Sequence, residues 1–215
     1  MDKRPFGTCF FERYAKITLS AILGSEFDCL VNRDRPDLQS EDGRSIGIEV
    51  TRAMEESRMA EEALLKDISG ITPGPKEQEE IGQILEYGYG YGLRGDRYIG
   101  SKELPYWSMA LPLRRILESK VSKVGNGFYG RFDQMGLFVF SRENLSEAKA
   151  VKAMNYTRSL QRGLDVKYDR LYLTDIDNLF VCDLHDGLDE GSRLSTYAIS
   201  QDDRKLFYRE ALRLN

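Results

Sequence analysis

Two carboxylates stand where a hairpin could bring them together. Asp37 lies in Arg35-Pro36-Asp37-Leu38, and Glu49 lies in Ile46-Gly47-Ile48-Glu49-Val50-Thr51. Two acids on one sheet face repel, so one keeps its proton, the pair splays, or a cation sits with them. A hard divalent ion such as magnesium resolves the conflict, because it takes one or two carboxylates and completes its shell with water and phosphate oxygens. Convergence depends on register. A two-residue loop at Asp42-Gly43 pairs Leu38 with Gly47 and sends the acids to opposite faces. A three-residue loop, Glu41-Asp42-Gly43, pairs Leu38 with Ile46 and Asp37 with Gly47, leaving Glu49 diagonal to Asp37 on one face. The second register matches two apolar residues and sets Gly43 at the third loop position, where a left-handed backbone is needed. The plain alternative is a turn-flanking Asp37 and a solvent-facing Glu49.

The surrounding elements must position these residues. Phe10, Tyr14, Ile17 and Ala21 recur at helical spacing, which predicts a helix over 10–23. A short strand is expected over 27–31 and a second over 35–40, where Pro36 is tolerated only near its start. The alternation of Ile46, Ile48 and Val50 with Gly47, Glu49 and Thr51 makes 45–51 the clearest strand. A Glu-rich helix is expected over 53–68, followed by a Gly/Pro break at 70–75. The Tyr-Gly run at 87–95 reads as a loop, either a connector or a presenter of aromatic rings. Helices are expected over 106–124, 146–162 and 202–214, and strands over 135–140, 171–173 and 179–182. The run at 135–140 is nearly all apolar, which suits burial on both faces. With no repeat, the whole chain, 1–215, reads as one α/β domain.

The Pro36-Asp37 pair followed by Glu49-Val50-Thr51, in the order helix, strand, hairpin, helix and later buried strand, resembles the PD-(D/E)XK nuclease superfamily. The resemblance implies a restriction-endonuclease-like core, a mixed central sheet flanked by helices. That core would span 10–70 and 131–183, with an inserted helical and Gly-rich segment at about 71–130. It implies a DNA phosphodiesterase that uses magnesium or manganese. Asp37, Glu49 and the backbone carbonyl of Val50 would be the metal ligands. Glu12 matches an extra acid that many members carry on the first helix, although its spacing to Lys16 also suits a surface ion pair. The family lysine would fall at position 51, where this chain has Thr51. A hydroxyl can hydrogen-bond but carries no positive charge. Either another cation replaces it, with Lys16 the first candidate and Lys120 and Lys123 more remote, or the fold persists as a non-catalytic nucleic-acid- or protein-binding module. Arg52, next along the strand, should face the other way.

Arg33 and Arg35 flank the hairpin and are candidate phosphate contacts. Lys and Arg total 31 and Asp and Glu 35, a net charge of −4, which excludes coating of nucleic acid through bulk charge. The three cysteines sit in apolar stretches and read as buried thiols in a reducing, cytoplasmic setting. His185, the one histidine, reads as a surface residue at a turn with acids nearby. No apolar run approaches a membrane span, and Met-Asp-Lys-Arg-Pro leads into no signal-peptide core. The resemblance also implies dimer formation in many members, for which this sequence offers no coiled-coil or swap signal.

Overall fold

A computed structural model describes residues 10–53, 93–94, 97–98, 111–141, 144–186 and 193–213. Helix α1 (Phe10–Leu23) leads through a 3-10 turn (Ser25–Phe27) to β1 (Leu30–Asn32), β2 (Leu38–Ser40) and β3 (Ile46–Ala53). β4 (Leu93–Arg94) and β5 (Arg97–Tyr98) form a separate two-stranded hairpin. Then come α2 (Leu111–Gly125), β6 (Gln134–Ser141), α3 (Glu147–Leu160), β7 (Arg170–Thr174), β8 (Asn178–Asp183), β9 (Leu194–Ala198) and α4 (Gln201–Leu212).

Seven strands form one mixed sheet in the order β1-β2-β3-β6-β7-β8-β9. β1, β2 and β3 are antiparallel neighbours, β3, β6 and β7 run parallel, and β8 and β9 close the sheet antiparallel. The parallel centre needs cover on both faces, and the helices supply it. Alternation divides β6: Phe138 and Phe140 join one buried cluster, while Met135, Leu137 and Val139 join the other. The first cluster contains Phe10, Phe11, Tyr14 and Leu19 of α1 and Phe207 and Tyr208 of α4. The second contains Leu113, Leu117, Val121 and Val124 of α2 and Ala150, Ala153 and Met154 of α3. Full burial of each large apolar side chain contributes about 1.5–3 kcal/mol, so the continuous apolar run of β6 is the sheet's main anchor. Gly136 is required by close approach: a Cβ there would stand 2.9 Å from the Tyr172 ring and 3.3 Å from Ile48.

Several boundaries differ from the sequence expectation. The expected 27–31 strand divides, because Phe27 turns inward from the 3-10 turn and pairing begins only at Leu30. β2 starts at Leu38 rather than at 35, after Arg35 takes a positive φ of 64°. β9 was not anticipated. It is a mostly exposed edge strand and carries no apolar alternation. α2, expected within an insertion, packs on the sheet as part of the second core cluster. The expected 53–68 helix lies outside the described residues beyond Ala53, as do the 70–75 break and most of the Tyr-Gly run. Residues 106–110 of the expected third helix also lie outside them. Cys182 is buried, which pushes its thiol up to about 12, whereas Cys29 is exposed and its thiol donates to the Glu26 carbonyl at 3.2 Å. The expectation of burial therefore fails for Cys29, whose side chain follows the exposed turn between Phe27 and β1. No helix among the described residues is long and apolar enough to cross a membrane.

Candidate functional site

The hairpin register is neither of the two expected. Leu38 pairs with Ile48 and Gln39 with Gly47, so one further step sets Asp37 opposite Glu49. The connection runs over residues 41–45 and is longer than a tight turn because Asp42 organises it. The Asp42 carboxylate accepts from Ser40 Oγ at 2.5 Å, Arg44 N at 2.8 Å and Ser45 N at 2.9 Å, and also from Ser45 Oγ. These bonds, those of Ser40 and Ser45 foremost, hold its pKa well below the usual carboxylate range. Gly43 has a φ of 65°, the left-handed backbone expected of it.

The register decides which side chains meet. Leu38 and Ile48 face the first core cluster, so their neighbours Asp37 and Glu49 point toward the α2 side. β2 stops pairing at Leu38, which leaves the edge of β3 beyond Ile48 without a backbone partner there. The Asp37 carboxylate fills the gap, accepting from Val50 N–H through Oδ2 at 2.8 Å. An extended residue directs its N–H and C=O to the same edge, so the Val50 carbonyl is presented on the side where Asp37 sits.

Glu49 is buried and meets Lys120 of α2, whose Nζ donates to Oε1 at 2.5 Å. Both side chains are almost wholly out of water, at 3% and 6% exposure. Lys120 lies on the apolar stripe of α2, between Leu117 and Val121. A charge on an apolar helix face was the sequence signal for this contact. Thr51 is buried on the same strand face as Glu49. The basic group on this strand face comes from α2, while position 51 itself is a threonine. Lys16, the first candidate from sequence, is half-buried on α1, and no ion pair among the described residues joins it to Asp37 or Glu49. The reason is geometric: α1 covers the first core cluster, and the two acids face the other way. Arg52 follows the alternation and lies over the Phe11 ring at 4.6 Å.

Glu12 does not pair with Lys16. Its Oε2 accepts from the Asn32 amide at the end of β1. Burial raises its pKa, the Asn32 amide opposes that rise, and the Glu49 charge adds to it. Asp37 responds most strongly. Burial, then the charges of Glu49 and Glu12, push it up to about 8, against the Val50 N–H and Lys120. Three acids therefore share one negative field. Among the described residues no group of three or more His, Cys, Asp or Glu is placed to hold a metal ion. Asp37, the second oxygen of Glu49 and the Val50 carbonyl remain as hard oxygen donors, which suits a magnesium-type ion that keeps several waters.

The rim is basic. Arg35 is exposed, 3.4 Å from Asp34, and its guanidinium lies 4.9 Å from the centre of the Phe128 ring. Lys123 Nζ lies 5.3 Å from the same ring. Arg33 turns away instead, donating to the Glu41 carbonyl at 3.0 Å over the hairpin connection. His185 lies apart, at the far end of β8, with Nδ1 2.8 Å from Asp183 and Nε2 3.2 Å from Asp169. No family model, curated protein or solved structure matches the chain.

Proposed function

We propose that this chain is a metal-dependent nuclease that hydrolyses phosphodiester bonds in DNA, built on a restriction-endonuclease-like core. The single observation that supports it best is the facing pair Asp37 and Glu49 with Lys120 buried against Glu49. The antiparallel β1-β2-β3 unit followed by parallel β6 is the strand arrangement that reading requires. Asp37, Glu49 and the Val50 carbonyl would hold magnesium or manganese. When bound, the ion lowers the pKa of a water and offsets charge on the phosphate. Asp37 must give up its proton before it can act as a ligand, and the Val50 N–H keeps its carboxylate aimed while it does so. Lys120 holds Glu49 in one rotamer and brings an ammonium against one acid of the facing pair. It would take the part that the family assigns to a lysine two residues after the glutamate. Glu12 would hold an outer-shell water. Arg35 would meet the backbone of the DNA; Arg33, tied to the hairpin, would contribute at longer range.

One observation favours a second reading. The Lys120 ammonium already neutralises Glu49 without a metal, so the site could serve a non-catalytic binding module. Incubation of supercoiled plasmid and circular single-stranded DNA with the protein separates the two. Hydrolysis predicts cutting that needs magnesium or manganese and is lost in Asp37→Asn. The binding module predicts retention of DNA, or of a protein partner, with no cutting under any metal.

A further inference from the structure

The rim carries an arrangement of which the hydrolytic reading uses only Arg35. Phe128 follows Gly127, whose φ of 69° ends α2 in a left-handed turn, and its ring is 45% exposed. An exposed Phe is ordinary; one with two cations on its ring is not. Arg35 arrives from the segment before β2 and Lys123 from the last turn of α2, at 4.9 Å and 5.3 Å from the ring centre. The buried Tyr129 packs edge-on against Phe128 at 5.2 Å, so the ring is braced from within. Two like charges around one ring repel each other, and an anion between them relieves this. Burial and the neighbouring Lys120 charge already lower the pKa of Lys123, and Glu49, Asp37 and Arg35 also act on it, which makes rim and carboxylate pair one continuous field. Asp34 competes for Arg35, but that pair is solvent-exposed at 60% and 87% and is easily displaced.

We propose that Arg35, Lys123 and Phe128 form a station for one unpaired nucleotide beside the carboxylate pair, with Phe128 stacking the base and the two cations holding its phosphate. A base inside an intact duplex is stacked on its neighbours and cannot reach such a ring, so the favoured substrate is single-stranded or locally unpaired DNA. This rests on the nuclease reading for the choice of polymer and goes beyond it in naming the form.

Binding is tested with the metal chelated, so that cutting plays no part. Anisotropy of a short labelled oligothymidylate and of a blunt duplex of equal length is compared across variants. Phe128→Leu is expected to weaken oligothymidylate about tenfold and the duplex by no more than about twofold. Phe128→Trp keeps the ring and is expected to stay within about threefold of the parent. Arg35→Gln with Lys123→Gln is expected to lower the salt dependence of oligothymidylate binding by roughly 1–2 in log–log slope. Unchanged binding in Phe128→Leu, or equal losses on both DNA forms, overturns the station. So does a Phe128→Trp protein that melts like the parent and binds as poorly as Phe128→Leu. A protein that cuts DNA yet binds oligothymidylate independently of Phe128 keeps the nuclease reading and loses this one. One that binds through Phe128 and never cuts keeps the station and loses the nuclease.

Discussion

Lys120 and Glu49 meet at 2.5 Å across a helix–sheet interface, 71 residues apart in the chain, with both side chains nearly inaccessible to water. A buried pair of this kind contributes little net stability against an apolar pair of similar volume, yet removing one partner strands the other. Lys120→Met should therefore destabilise the protein by about 3–5 kcal/mol, and adding Glu49→Gln should recover a large part of that loss. Urea denaturation of the parent, both single variants and the double variant measures the coupling. Additive losses would mean that the two side chains do not depend on each other.

Asp37 should make stability depend on pH in a defined direction. Its folded pKa is pushed up to about 8, first by burial and then by Glu49 and Glu12. An unfolded aspartate titrates near ~3.9, so between these values the native state holds a proton that the unfolded chain has lost. The contribution of Asp37 is fully present below the unfolded pKa and is lost as pH rises through the folded one. With metal chelated, the urea midpoint of the parent relative to Asp37→Asn should fall across that window and level above about 8. A relative midpoint that rises with pH would contradict the assignment.

Metal should substitute for that proton. Manganese binding should release protons below about pH 8, and affinity should weaken as pH falls, because the ion competes with protonation of Asp37. Calorimetry in two buffers of different ionisation enthalpy reads the proton count directly. The Asp37→Asn protein should release none at this position.

Gly136 gives a prediction about the frame that carries the site. A Cβ would approach the Tyr172 ring to 2.9 Å in the middle of the parallel sheet. Gly136→Ala should cost about 1–3 kcal/mol through overpacking, measured by urea denaturation. A neutral result would mean that Tyr172 has room to move.

The acids were legible in the sequence, and their partner only as a remote candidate behind Lys16. Alternation along 46–51 set Glu49 on a strand face, and apolar continuity marked 135–140 as a central strand. Same-face convergence of Asp37 and Glu49 was expected from a three-residue loop, and it occurs through a different register. The cause is the side chain of Asp42, which bonds Ser40, Arg44 and Ser45 and stretches the connection. Pattern matching of Leu38 to Ile46 cannot see such a bond. Lys120 ranked behind Lys16 for another reason. Its contact spans a helix packing on the sheet, and only its odd position on the apolar stripe of α2 hinted at it. Lys16 was nearer in sequence but belongs to a helix covering the opposite face.

Hydrolysis at Asp37 and Glu49 is read directly from strand cutting with chelator-treated protein. Supercoiled plasmid and circular single-stranded DNA are incubated with magnesium, manganese or neither, using the parent, Asp37→Asn and Glu49→Gln. Hydrolysis at these two acids requires cutting only with metal, and a loss of about a hundredfold or more in each variant. Cutting that survives in Asp37→Asn, or none by the parent with either metal, would contradict it.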